Sequence, residues 1–210
     1  MQPFGQKLHL RVVNRKMKLL INKSNSLEKL IAGCKKNSAK AQRELYDQYS
    51  GLMFSICKRY IGESTQAEDT MINGFMKIFN NIGQYTGAGS FEGWMKRIII
   101  NESLTFIRKN KNMYLEVDIE AANFEPNYDS LNSKLEADDL MKMVNELPTG
   151  YRTVFNLYAI EGFSHKEIAE KLSINVNTSK SQLSRARALL QNKLIESEKI
   201  LNNNAINYEE

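Results

Sequence analysis

Residues Gly162–Leu194 read GFSHKEIAEKLSINVNTSKSQLSRARALLQNKL and are the most informative stretch of the chain. Ser164, followed three residues later by Glu167, is a capping box: the hydroxyl accepts the amide of the third helical residue and the carboxylate reaches back. Phe163, just before the cap, is placed to staple onto Ile168. Ile168, Ala169 and Leu172 are the buried face of a short helix that ends near Leu172. Ser173-Ile174-Asn175 is a three-residue turn, and Asn175 can cap a second helix from Val176 to about Leu194. That helix has an inner face of Val176, Leu183, Ala186, Leu190 and Leu194. Its outer face carries Asn177, Thr178, Lys180, Ser181, Gln182, Ser184 and Arg185, with donors throughout and no acid. A short helix, a tight turn and a helix with such a face fit a helix-turn-helix. Lys and Arg can hold phosphate or read guanine edges, Asn and Gln can read adenine, and Ser and Thr can take either role. The competing reading is an ordinary helical hairpin with a solvated basic face.

Upstream, apolar residues keep recurring at helical spacing. Tyr151–Glu161 reads as a helix with Val154, Phe155, Leu157, Tyr158 and Ile160, stopped by Gly162. Asp139–Leu147 is another, separated from it by the turn Pro148-Thr149-Gly150. Nearer the N-terminus, Ser26 caps a helix through about Lys35. Residues 38–60 carry Ala41, Leu45, Tyr46, Tyr49, Met53, Ile56 and Tyr60 on one face, with Gly51 expected to bend or interrupt them. Ser64–Ile82 buries Met71, Phe75, Ile78, Phe79 and Ile82. The glycine-rich loop Gly83–Ser90 (GQYTGAGS) then leads into a helix over Phe91–Lys109. Only three prolines and eleven glycines occur, too few turn formers for an all-β sandwich.

Charge alternates along this frame. Lys96–Lys111 holds five basic residues against one Glu, Asn112–Asp139 holds eight acids against Lys134, and Lys171–Ile195 holds five basic residues and no acid. The middle block has weak periodicity and reads as an acidic linker between two domains. The net charge of +5 points to a polyanionic partner. Cys34 and Cys57 lie far apart, and with only His9 and His165 besides them they are too few for a zinc site. Both read as reduced thiols near the core of a cytoplasmic protein. No run of 18 apolar residues occurs, and the basic first 26 residues lack the small-residue cleavage site of a signal peptide. Translation from Met1 or from Met17 fits the sequence equally well.

The quoted stretch resembles region 4 of extracytoplasmic-function (group 4) RNA polymerase sigma factors, in the sigma-70 superfamily. ELPTGYRTVFNLYAIEG before it resembles the lead-in helix of that region. AEDTMINGFMKIFNNI (Ala67–Ile82) resembles region 2.2, and SFEGWMKRIIINESLTFIRKNK (Ser90–Lys111) resembles regions 2.3 and 2.4. A helix-turn-helix of this kind also occurs in response and quorum regulators, so the second block, in the right order, is what favours a sigma factor. Ser173 and Asn177 replace customary glycines, and Asn73-Gly74 replaces a Gln-acid pair. A left-handed Ser173 carries about 1 kcal/mol of strain, and Gly74 is costly inside a helix by about the same amount.

The resemblance implies an all-α protein of two small helical domains: residues 27–111 as region 2 and 139–195 as the region 4 helix-turn-helix. The acidic linker 112–138 joins them, with a basic arm over 1–26 and a tail over 196–210. It implies binding to core RNA polymerase, at the coiled coil of the largest subunit and the flap, with Glu68, Asp69, Phe75 and Lys77 on or near the docking helix. It also implies −10 contacts from Tyr85, Ser90, Phe91, Trp94, Lys96, Arg97, Asn101 and Arg108. The −35 element would be read by Asn177, Thr178, Lys180, Ser181, Gln182, Ser184 and Arg185, with Arg187 on phosphate. Phe75 and Trp94 also suit a plain core role. An anti-sigma factor, often membrane-anchored in this family, is a further implied partner of a chain that is monomeric when free. No cofactor, metal or small-molecule substrate is implied. A stand-alone transcription factor would instead bind palindromic duplexes as a dimer. An enzyme would need a carboxylate cluster or a nucleophile–base pair that this chain does not display.

Overall fold

The computed structural model describes residues 26–110 and 137–206. The expected basic arm and acidic linker lie outside the described residues except at their ends, where Ser26 and residues 137–138 are already helical, and the end of the tail lies outside too. Among the described residues every regular element is helical. Helix α1 spans 26–35, α2 Ala39–Ile61, α3 Ser64–Asn81 and α4 Phe91–Lys109. After the linker come α5 (Ala137–Asn145), α6 (Thr149–Phe155), α7 (His165–Leu172) and α8 (Val176–Ile206).

The helix stripes seen in the sequence build the core. Leu45, Met53, Tyr60, Ile78, Met95, Ile99, Leu104 and Ile107 are fully or almost fully buried where α2, α3 and α4 meet. Cys34 and Cys57 are free and buried there, and burial pushes the Cys57 thiol up to about 11, so it is inert at neutral pH. Helix α2 runs through Gly51 without the interruption that the glycine suggested, and a Cβ at Gly51 would meet open space. Gly74 now has a physical reason: an added Cβ would run into Cδ1 of fully buried Ile99, so glycine lets α3 and α4 close up.

The C-terminal helices differ from expectation in three ways. Thr149 and Gly150, expected in a turn, are already the first residues of α6. The helix expected over Tyr151–Glu161 is α-helical only to Phe155 and widens to a π-turn over Asn156–Ile160. In addition, α8 continues well past Leu194. The turn between α7 and α8 behaves as its residues predict. Ser173 is left-handed (φ 55°, ψ 45°), and its amide and that of Ile174 satisfy carbonyls at the end of α7. Ser173→Gly should relieve this conformation and raise stability by up to about 1 kcal/mol. A rise in the urea midpoint at constant m-value would show it.

The two helical groups touch. Val154, Leu157, Ile168, Leu172 and Leu183 join the same apolar cluster as α1–α4, while Val144, Leu147, Tyr151, Ala186 and Leu190 form a second cluster within the C-terminal group.

Candidate nucleic-acid interface

Local hydrogen bonds fix the helix-turn-helix. The Ser164 hydroxyl accepts the Glu167 amide (3.3 Å) and the Ser164 amide donates to the Glu167 carboxylate (2.8 Å). These bonds hold the Glu167 carboxyl below its usual range. Asn175 Oδ1 accepts from the Asn177 amide (2.8 Å), which caps α8 and starts it at the surface. Leu183, Ala186 and Leu190 then face inward, together with Ser179, which is fully buried against His165 Nδ1 (3.0 Å).

The rest of α8 is sorted by that anchoring. Asn177, Thr178, Lys180, Ser181 and Ser184 are exposed, and Arg185 is half-buried beside them. Arg187 lies on a flank, its guanidinium 5.6 Å from the centroid of the Tyr158 ring, which in turn stacks on His165. Gln182 turns its carbonyl oxygen inward, where it has no hydrogen-bond partner among the described residues. The outward ridge is therefore Asn177, Ser181, Ser184 and Arg185, flanked by cations.

His165 is held below its ordinary pKa, first by desolvation and then by the charges of Lys180 and Arg187. A depressed histidine favours folding only while neutral. Stability should thus fall as pH drops through about 6.5, whereas the depressed carboxyls of Glu63 and Glu167 act only at lower pH. Thermal melts at pH 7.5 and 5.5 should show the fall, and His165→Gln should shrink it.

A second surface lies at the start of α4. Gly87 and Gly89 adopt positive φ, and the Tyr85 hydroxyl donates to the Gly89 carbonyl (2.8 Å). Ser90 caps α4 by accepting the Gly93 amide (3.0 Å). Tyr85, Phe91 and Trp94 form an aromatic cluster with centroids 5.0–5.7 Å apart, the last two nearly parallel. Phe91 is 3% exposed and is the floor of this cluster. Tyr85 and Trp94 stay half-exposed. Spacings of three, four and seven put Trp94, Arg97, Asn101 and Arg108 along one face of α4. Lys96 lies off that face in an ion pair with Glu92 (2.7 Å).

On α3, Glu68 and Asp69 are exposed and Lys77 pairs with Glu102. Phe75 is 2% exposed, its ring 4.8 Å from that of Tyr46, which fits the core role it also suited in the sequence. The residues that do offer apolar surface are Ile72, Met76 and Leu52. They went unread in the sequence, although Ile72 and Met76 sit at i and i+4 outside the buried stripe, which is a legible signal. Among the described residues no group of carboxylates, histidines or cysteines could hold a metal ion, and no helix is long and apolar enough to cross a membrane.

Comparison with known proteins gives two family matches, "Sigma-70 region 2" over residues 45–113 and "Sigma-70, region 4" over residues 137–190, together more than half of the chain. The chain is 28% identical over 180 residues to the ECF RNA polymerase sigma factor SigW of Bacillus subtilis, covering 80% of this chain and 96% of SigW. It is 31% identical over 157 residues to the ECF RNA polymerase sigma factor SigE of Mycolicibacterium smegmatis, covering 72% of this chain and 60% of SigE. Among solved structures, it is similar to the sigma factor RpoE in complex with the anti-sigma factor NepR from Bartonella quintana. There the TM-score is 0.43 and the identity 23%, over 72% of this chain and 95% of that one.

Proposed function

This chain belongs to the sigma-70 family, in its extracytoplasmic-function class, and directs promoter-specific initiation of transcription; from that premise we propose how its residues divide the work. The observation that supports the division is one chain carrying two unlike nucleic-acid surfaces: a capped helix with an acid-free ridge, and an aromatic cluster at the head of a basic helix face. The first suits duplex and the second suits bases taken out of a duplex.

In this reading α8 enters the major groove of the −35 element. Asn177, Ser181, Ser184 and Arg185 meet base edges, while Lys180 and Arg187 hold phosphates from the flank. Thr178 and Gln182 line the side of the ridge. At the −10 element, opening the duplex costs about 1.4 kcal/mol per stacked step. Tyr85 and Trp94 offset it by stacking on exposed bases, and Arg97, Asn101 and Arg108 follow the strand. Ser90 positions the cluster through its cap, and Lys96 adds charge nearby.

Core polymerase docks on α3, where Ile72 and Met76 supply apolar contact and Glu68 and Asp69 supply charge, with Lys77 at the margin. The protein is then a cytoplasmic initiation factor and not an enzyme. An anti-sigma protein is a further partner proposed on the family resemblance. Affinity pull-downs that recover polymerase alone under every growth condition would count against it.

Run-off transcription with core polymerase on a promoter library tests the whole reading. Sequence-selective starts that need the protein are expected. Tight duplex binding by the protein alone, with no starts, would replace it by a stand-alone transcription factor.

A further inference from the structure

Ser179 is the residue of α8 that does not match its face. Val176, Ser179, Leu183, Ala186 and Leu190 follow one another at spacings of three and four, so Ser179 stands in the apolar stripe. It is fully buried, and a hydroxyl in that place destabilises the fold unless it finds a partner. The partner is His165 Nδ1, 3.0 Å away, on the first residue of α7. One hydrogen bond thus ties the start of the first helix of the helix-turn-helix to the inward side of the second, next to Lys180.

His165 also belongs to a stack. The Tyr158 ring, from the π-turn, lies 4.7 Å from the imidazole at an interplanar angle of 24°. The Arg187 guanidinium is 5.6 Å from the centroid of that same Tyr158 ring. The charged and titratable neighbours come from several elements. Lys180 and Arg187 face the imidazole from α8, and the Tyr158 phenol from the π-turn. On α7 itself are Lys166 and Glu167, the latter with its carboxylate turned back to the Ser164 amide. Arg108 of α4 meets α7 at the opposite end, on the Lys171 carbonyl (3.3 Å). Desolvation and the two α8 cations hold His165 below its ordinary pKa, and the positive end of α7 acts in the same direction. In the free protein the imidazole is therefore neutral at pH 7.

We propose that His165 is a positioning residue of the −35 interface, holding α8 through Ser179 and Arg187 through Tyr158, and that it takes up a proton when α8 settles on DNA. The inference rests on the promoter-reading function above, in which Lys180 and Arg187 hold phosphates. Those are the same two cations that disfavour the imidazolium. Phosphates that meet them cancel their repulsion and bring negative charge close to the ring, so the charged imidazole is favoured in the complex. The hydrogen bond survives the change, because a bare Nδ1 accepts from the Ser179 hydroxyl and a protonated one donates to it. A group that gains a proton on binding makes affinity rise as pH falls. Folding stability moves the other way over the same range, so weaker folding cannot imitate the effect.

Holoenzyme built with the full chain tests this on a labelled promoter duplex recovered from the run-off library, at constant salt and below the temperature of strand opening. Affinity should rise about three- to fivefold from pH 7.5 to 5.5. His165→Gln keeps a side chain that can bond Ser179 but does not titrate; it should bind as the unaltered chain does at pH 7.5 and lose the rise. His9→Gln, which removes the other histidine, should keep it. His165→Phe keeps a ring for Tyr158 but leaves the Ser179 hydroxyl unpaired, and should lose about tenfold in affinity at both pH values. Adding Ser179→Ala to it should restore binding at pH 7.5. An equal rise in His165→Gln, or undiminished binding by His165→Phe, would overturn the role of His165. Binding indifferent to the double variant Lys180→Ala/Arg187→Ala would instead overturn the phosphate contacts, and with them the −35 reading on which the inference rests.

Discussion

Phe75→Ala should lower the stability of the N-terminal helices by about 3–5 kcal/mol, the usual cost of emptying an aromatic site in a closed core. The ring is 2% exposed and packs against Tyr46 and, at 5.9 Å between centroids, Phe79. A loss of that size is a large share of a small domain's total stability. The informative contrast is on the same helix. Ile72→Glu/Met76→Glu replaces side chains that are 45% and 57% exposed and should change stability by no more than about 0.5 kcal/mol per site. It should nevertheless remove binding to core polymerase, because it puts charge into an apolar contact. Urea denaturation and polymerase binding, measured on both variants, separate the roles. A Phe75→Ala protein with an unchanged midpoint and lost polymerase binding would return Phe75 to the docking face.

Trp94→Ala should cut run-off transcripts from a duplex promoter by about five- to a hundredfold, because base–aromatic stacking contributes about 1–3 kcal/mol per base. The same variant should work almost normally on a template whose −10 segment is already unpaired, since strand opening has then been supplied from outside. Trp94→Phe should recover part of the activity. Trp94 stacks on Phe91 with an interplanar angle of 21°, which holds its outer face ready without further ordering. Equal losses on duplex and pre-opened templates would make Trp94 a packing residue and leave strand capture to the basic groups.

Features written in neighbouring residues were open to inspection in the chain. The capping box at Ser164 and Glu167, the Asn175 cap, the left-handed Ser173 and the extent of α4 all follow from interactions within a few positions. The inner and outer faces of α8 follow equally, because helical spacing alone sorts Leu183 from Ser181. Burial is a different matter. Phe75 and Phe91 carry the same apolar signal as a partner-facing aromatic, and only the approach of helices from elsewhere in the chain closes over them. The same holds for Gly74, whose reason is Ile99, twenty-five residues away. The meeting of Arg152 with the end of α2 bridges some ninety positions, beyond the reach of any local pattern. An arginine in a helix is ordinary until four carbonyls from two helical groups converge on it. Local hydrogen-bond chemistry and helical periodicity can be read along a chain, whereas burial and long-range pairing depend on which distant surfaces the fold brings together.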